Sequence, residues 1–126
     1  MSVAFLLDHL PRLLQGLSLT LQLLALALAA GGVLAVAAAL AWRSPFLPLR
    51  LLVRGYAGFF RGTPLIAQIF LVYYGAGQFS GTLRELGLWG IFREAYWCAV
   101  ITFALNTGAY SAAILRGALD AVPRGQ

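Results

Sequence analysis

Three long apolar stretches dominate the chain, and arginines punctuate them. No charged residue falls between Arg12 and Arg43, between Arg61 and Arg84, or between Glu94 and Arg116. A water-soluble fold has no use for uncharged runs of this length, whereas a bilayer requires them. The pattern predicts an all-α integral membrane protein with three spans, at about 13–42, 55–75 and 95–115.

The first span is long. Thirty helical residues rise about 45 Å, against a hydrocarbon core of about 30 Å. The helix must tilt, or its first turns must lie in the interface. Gln15, Ser18, Gln22, Ala25, Ala29 and Gly32 recur at helical spacing and make one polar-to-small face. Such a face suits helix packing, since small residues let backbones approach. It also suits a wall looking into a translocation path.

The second span is the least regular. Thr63 to Tyr74 is densely apolar but rises only about 18 Å as a helix, so the helix must begin nearer Leu51 to Gly55. Pro64 then falls inside it and removes one backbone hydrogen bond. The pattern predicts a bent but continuous helix kinked near Pro64. A full break, with Thr63 as N-cap and Pro64 at the first helical position, is the alternative. Arg61 would snorkel to the interface. Gly75, Gly77 and Gly81 mark the exit. The third span rises about 32 Å, matching the core. Tyr96 and Trp97 stand at its start as an interfacial aromatic pair. Asn106, Thr107, Tyr110 and Ser111 give it a polar face, and Pro123 and Gly125 stop it.

Charge sets direction. The nine basic residues are all arginines, against four acids, for a net charge of +5. Arg43, Arg50 and Arg54 follow the first span, with Arg61 close behind, and Arg116 and Arg124 follow the third. The loop after the second span balances Arg84 and Arg93 with Glu85 and Glu94. Arginine excess marks the cytoplasmic side, so the N-terminus is expected outside and the C-terminus inside. The first apolar segment is too long for a signal-peptide core and reads as retained. The same explanation removes any need for a nucleic-acid partner. Cys98 and His9 are the lone cysteine and histidine. No intrachain disulfide, multi-cysteine metal site or phosphate-cradling motif can be built, and no cofactor is expected. Paired acids, a Ser/His pair and metal ligands are missing from the spans, so the chain reads as no enzyme.

Two stretches carry more than topology. One runs from Tyr56 to Gly75 and contains Phe60-Arg61-Gly62-Thr63-Pro64-Leu65. The other joins Leu105-Asn106-Thr107-Gly108-Ala109-Tyr110 to Arg116-Gly117-Ala118 and Val122-Pro123-Arg124-Gly125-Gln126. Together they resemble the permease subunits of ABC importers for polar amino acids, the histidine/glutamine/arginine group. Gly16-Leu17-Ser18-Leu19-Thr20-Leu21 is similar to the family's opening. Gly75-Ala76-Gly77-Gln78-Phe79 and Trp97-Cys98-Ala99 are most similar to its arginine permeases.

The resemblance implies three helices of a larger MetI-like permease domain in the bacterial inner membrane. In the family a cytoplasmic coupling loop with a Glu-Ala-Ala signature begins just after the Pro-x-Gly-Gln block. The sequence therefore corresponds to the N-terminal three-fifths of a permease, truncated before that loop. The implied function is import of a polar or basic amino acid, L-arginine first. The implied partners are a periplasmic amino-acid-binding protein, a second permease subunit, a cytoplasmic ATPase dimer that hydrolyses ATP, and membrane lipid. Asn106, Gln68, Thr107 and Tyr110 are the candidates for the substrate path. Arg61, Gly62, Thr63 and Pro64 are the candidates for shaping or gating. Glu85 and Glu94 are expected to pair with Arg84 and Arg93. A small membrane scaffold without a substrate path is the alternative reading.

Overall fold

The structure, a computed structural model, describes residues 3–122. Six helices run in chain order: α1 (Val3–Trp42), α2 (Leu47–Gly62), α3 (Leu65–Gln78), α4 (Ser80–Glu85), α5 (Trp89–Phe92) and α6 (Ala95–Ala121). Two of them, α1 and α6, are long and apolar enough to cross a membrane. Pro123 and Gly125, expected to end the last helix, lie outside the described residues. The chain already turns extended at Val122, as a residue preceding proline is biased to do.

The long helices α1 and α6 are the principal pair, and they run in the same direction. Gln22 meets Tyr96, Leu34 meets Gly108 and Trp42 meets Arg116, each pair separated by the same 74 residues. Antiparallel α2 returns between them, placing Val53 against Ala38 and Ala112. The order is two parallel long helices joined by one reversed segment.

The seam between α1 and α6 is made of small side chains. On α1 it is Ala27, Gly31, Ala35 and Ala39, every fourth residue. On α6 it includes Ala104, Gly108 and Ala112 at the same spacing. A lipid environment supplies no hydrophobic drive between helices, so close backbone approach and dispersion hold them. The approach is tight at two glycines. A Cβ at Gly31 would lie 2.9 Å from Thr107 Cβ and 3.0 Å from the Ala104 carbonyl oxygen. A Cβ at Gly108 would lie 2.7 Å from the Tyr56 hydroxyl and 3.0 Å from Leu34 Cδ2.

This seam corrects the expected packing face of α1. Ala25 and Ala29 are exposed, as are Gln15, Ser18 and Gln22. At about 100° per residue Ala25 and Ala29 lie away from the seam, while Gln22 still reaches α6 through its hydrogen bond from Tyr96. The helix also starts ten residues before the expected Leu13 and absorbs Pro11.

The stretch expected as the second span is divided. Residues Thr63 and Pro64 are both extended, so α2 ends at Gly62 and α3 begins at Leu65. The direction changes near Pro64 as expected, but as a break rather than as a continuous bent helix. The capping differs too, with Pro64 as N-cap of α3 instead of its first helical residue. Pro48 stands in the first turn of α2, where a missing N–H costs nothing.

The exit is also moved. Gly75 and Gly77 are inside α3 and Gly81 is inside α4. The glycine that a turn requires is Gly87, at φ 76°. Leu88 N–H donates to the Leu83 carbonyl at 2.8 Å and Gly87 N–H to the Arg84 carbonyl at 3.1 Å. This is a Schellman cap, which seals the end of α4.

A sealed helix break beside an interhelical cleft

Ending a helix leaves its last carbonyls without intrahelical partners, and at membrane depth water is not there to take them. The break after α2 is closed by side chains. Thr63 Oγ1 donates back to the Phe59 carbonyl at 2.6 Å. Gln68 Nε2 donates to the Phe60 carbonyl at 2.8 Å and to the Thr63 carbonyl at 3.0 Å. Tyr110 reaches from α6 to give its O–H to the Arg61 carbonyl at 3.2 Å. Arg61 folds its guanidinium over the Tyr110 ring, 6.0 Å from the centroid, at the helix end where a cation is favoured.

Gln68 is only 1% exposed and is one of the largest fully buried side chains. Its remaining oxygen accepts a hydrogen bond from Asn106 Nδ2 at 3.1 Å. The break on the second crossing is thereby tied to the middle of α6. One turn away, the Tyr56 hydroxyl donates to the Leu105 carbonyl. No buried side-chain nitrogen or oxygen among the described residues lacks a partner.

Beside this network lies a cleft of about 420 Å³ between α1, α3 and α6. Thr20, Asn106 and Thr107 bring polar atoms to it, and Leu24, Ala27 and Leu65 line its apolar side. Its walls carry no charged residue. Asn106 spends one N–H on Gln68 and also lines the cleft, while the Thr107 methyl packs against Gly31. The arrangement offers a neutral, partly polar recess halfway along the bundle.

The eight expected site residues therefore separate. Asn106 and Thr107 line the cleft, whereas Gln68 and Tyr110 are committed to the break. Thr63 and Pro64 form the break, and Arg61 stands over Tyr110. Gly62 is exposed with open space around its Cβ position, so nothing in its surroundings requires a glycine. Glu85 and Glu94 do not pair with Arg84 and Arg93. Arg84 lies over the Trp89 ring instead, at 5.5 Å, and the one ion pair among the described residues is Arg43–Asp120. Tyr56, Gly31 and Gly108 were not singled out in the sequence. Tyr56 alone left a signal there, a hydroxyl inside an apolar helix.

A parallel pair of long apolar helices, joined by a broken segment whose freed carbonyls are met by protein, is the arrangement a bilayer requires of a polytopic protein. The family model for the binding-protein-dependent transport system inner membrane component matches residues 13–126, and the chain belongs to this family. The nopaline transport system permease protein NocM of Agrobacterium fabrum is 41% identical over the whole chain, which spans 52% of NocM. The arginine ABC transporter permease protein ArtM of Escherichia coli K12 is 51% identical over 60% of the chain and 34% of ArtM. A crystal structure of an amino acid ABC transporter with histidines superposes with a TM-score of 0.83 at 31% identity, over 99% of this chain and 54% of that one. The chain spans about half the length of NocM. The fold expectation, all-helical and MetI-like, agrees with these findings.

Proposed function

We propose that the chain is the N-terminal part of a permease subunit in a binding-protein-dependent ABC importer for polar or basic amino acids, with L-arginine the first substrate to test. The broken second crossing, sealed by Gln68 and Tyr110 and hydrogen-bonded to Asn106 beside the cleft, carries the reading. Transporters place solute sites where helices are discontinuous near the bilayer midplane. Asn106 stands near the middle of α6 and Thr107 next to it. The similarity to ArtM supports arginine, and the similarity to NocM supports a wider range of solutes.

Alternating access then requires α3 to shift against α2 and α6, with Thr63 and Pro64 as the pivot. Asn106 and Thr107 would contact the passing solute by neutral hydrogen bonds. The charge of a basic substrate is met elsewhere, because the cleft walls hold no acid. The proposed partners are a periplasmic amino-acid-binding protein, a second permease subunit and a pair of cytoplasmic ATPases, to which ATP hydrolysis belongs. The N-terminus faces the periplasm and the C-terminus the cytoplasm, because Arg43, Arg50, Arg54 and Arg116 gather at one end.

The test is uptake of radiolabelled arginine and other polar amino acids in cells lacking the gene and redundant systems. Loss of uptake of one such amino acid, restored by the gene, is expected. Unchanged uptake of all of them would refute the assignment.

A further inference from the structure

The end of the molecule shared by α1, α2 and α6 carries a concentration of positive charge that packing does not explain. Arg50, Arg54 and Arg116, with Trp42, Leu47 and Leu51, line a small cavity of about 130 Å³. Arg43, Arg50, Arg116 and Asp120 line an adjoining one of about 350 Å³. Asp120 is engaged by Arg43 at 3.7 Å. The Arg116 guanidinium lies 4.4 Å from the centre of the Trp42 ring. Arg50 and Arg54 make no ion pair among the described residues.

The placement of the last two concentrates like charge. They stand four residues apart on α2, where like charges on one face repel. They also fall in the N-terminal half of α2, with no acid in its first turn. That end of a helix is already positive, and it favours anions over cations. The guanidiniums therefore make one positive field, to which the helix dipole adds only at Arg50, beside the first turn.

The apolar surroundings identify the anion's carrier. Phe46, Leu47, Leu51 and Leu52 are all more than half exposed beside the arginines. Trp42 stands at the end of a helix apolar enough to cross the membrane. Guanidiniums bordered by exposed leucines and a tryptophan match the boundary between lipid headgroups and acyl chains. We propose that this end holds the phosphate of an anionic phospholipid between Arg50, Arg54 and Arg116, with the lipid's upper chain carbons against Leu47, Leu51 and Trp42. The proposal rests on membership of the membrane family and not on the transport assignment.

Native mass spectrometry of the full-length protein, purified from membranes, tests it. Phosphatidylglycerol and phosphatidylcholine of equal chain length are added in parallel. The expected result is preferential retention of phosphatidylglycerol. At about 1 kcal/mol per basic residue near an anionic surface, Arg54→Gln lowers that preference about fivefold and Arg50→Gln with Arg54→Gln about thirtyfold. Arg12→Gln, at the far end of α1, leaves it unchanged. Equal retention of the two lipids by the wild type would overturn the proposal, as would an unaltered preference in Arg54→Gln. The single variant keeps the test decisive if the double variant does not fold. A further arm adds excess inorganic phosphate. Persistence of bound phosphatidylglycerol supports a lipid ligand, and its displacement overturns the lipid in favour of the free anion.

Discussion

Replacing Gln68 by methionine keeps the length and approximate volume of the side chain and removes its hydrogen bonds. Three are lost: those to the Phe60 and Thr63 carbonyls, and the one accepted from Asn106. Interhelical hydrogen bonds in membrane proteins average about 0.6 kcal/mol in double-mutant cycles, which sets a floor near 2 kcal/mol for three. Stranding a buried polar partner costs about 1–3 kcal/mol, and two carbonyls and one amide are stranded here. The three bonds are only part-buried, so the stranding cost is counted in full for one group only and the expected destabilisation is about 2–5 kcal/mol. Equilibrium unfolding of the full-length protein in mixed micelles, titrated with a denaturing detergent, measures it. A second variant, Asn106→Ala, and the double variant complete a cycle whose coupling energy should fall between about 0.6 and 1.7 kcal/mol. A Gln68→Met protein within about 0.5 kcal/mol of wild type, the scatter of ordinary surface changes, would refute the claim that this side chain seals the break. Zero coupling would refute its link to α6.

The glycine seam makes a sharper contrast. Gly108→Ala brings a methyl within 2.7 Å of the Tyr56 hydroxyl and should cost about 1–3 kcal/mol by overpacking, in the same unfolding assay. Gly117→Ala, on the same helix with open space at its Cβ, should be neutral or stabilising by up to about 1 kcal/mol. Tyr56→Phe removes the donor to the Leu105 carbonyl and should cost about 0.6–1.7 kcal/mol; an unchanged midpoint would show that the bond adds nothing. Alkaline phosphatase fused after Ser44 should be inactive and fused after Leu86 active, since that enzyme works only on the periplasmic side. The reverse pattern would invert the proposed topology.

The hydrophobic spacing was enough to read the two long apolar helices α1 and α6, while the stretch expected as one middle span is divided between α2 and α3. The rotation of α1 was not readable. Alanines occupy almost every face of its second half, so composition could not separate the seam of Ala27, Gly31, Ala35 and Ala39 from the rest. The polar side chains of Gln15 and Ser18 pointed to the wrong face, because a polar group at a helix end can stay exposed while dispersion selects the small-residue stripe. The state of the chain at Pro64 was undecidable for a different reason. A continuous kink and a full break differ by how many carbonyls are freed. Thr63 and Gln68 meet three of them locally, but the Arg61 carbonyl depends on Tyr110, 49 residues away. Local sequence shows the proline but not its distant donor.

That dependence has a consequence for the proposed transport path. Gln68, Asn106 and Tyr110 each looked like a solute ligand, being polar in an apolar run. The structure engages two of them fully with carbonyls of the break, and sets Asn106 between the break and the cleft. Its N–H holds Gln68, and the residue also lines the cleft. Moving α3 away from α2 would pull Gln68 from the Phe60 carbonyl, and the freed amide would compete for Asn106. A solute bonded to Asn106 would in turn weaken its hold on Gln68. Reciprocity of this kind is what linkage demands of two coupled equilibria. On the proposed role, solute occupancy and the geometry of the break are thus joined through one hydrogen bond, not through a long chain of contacts.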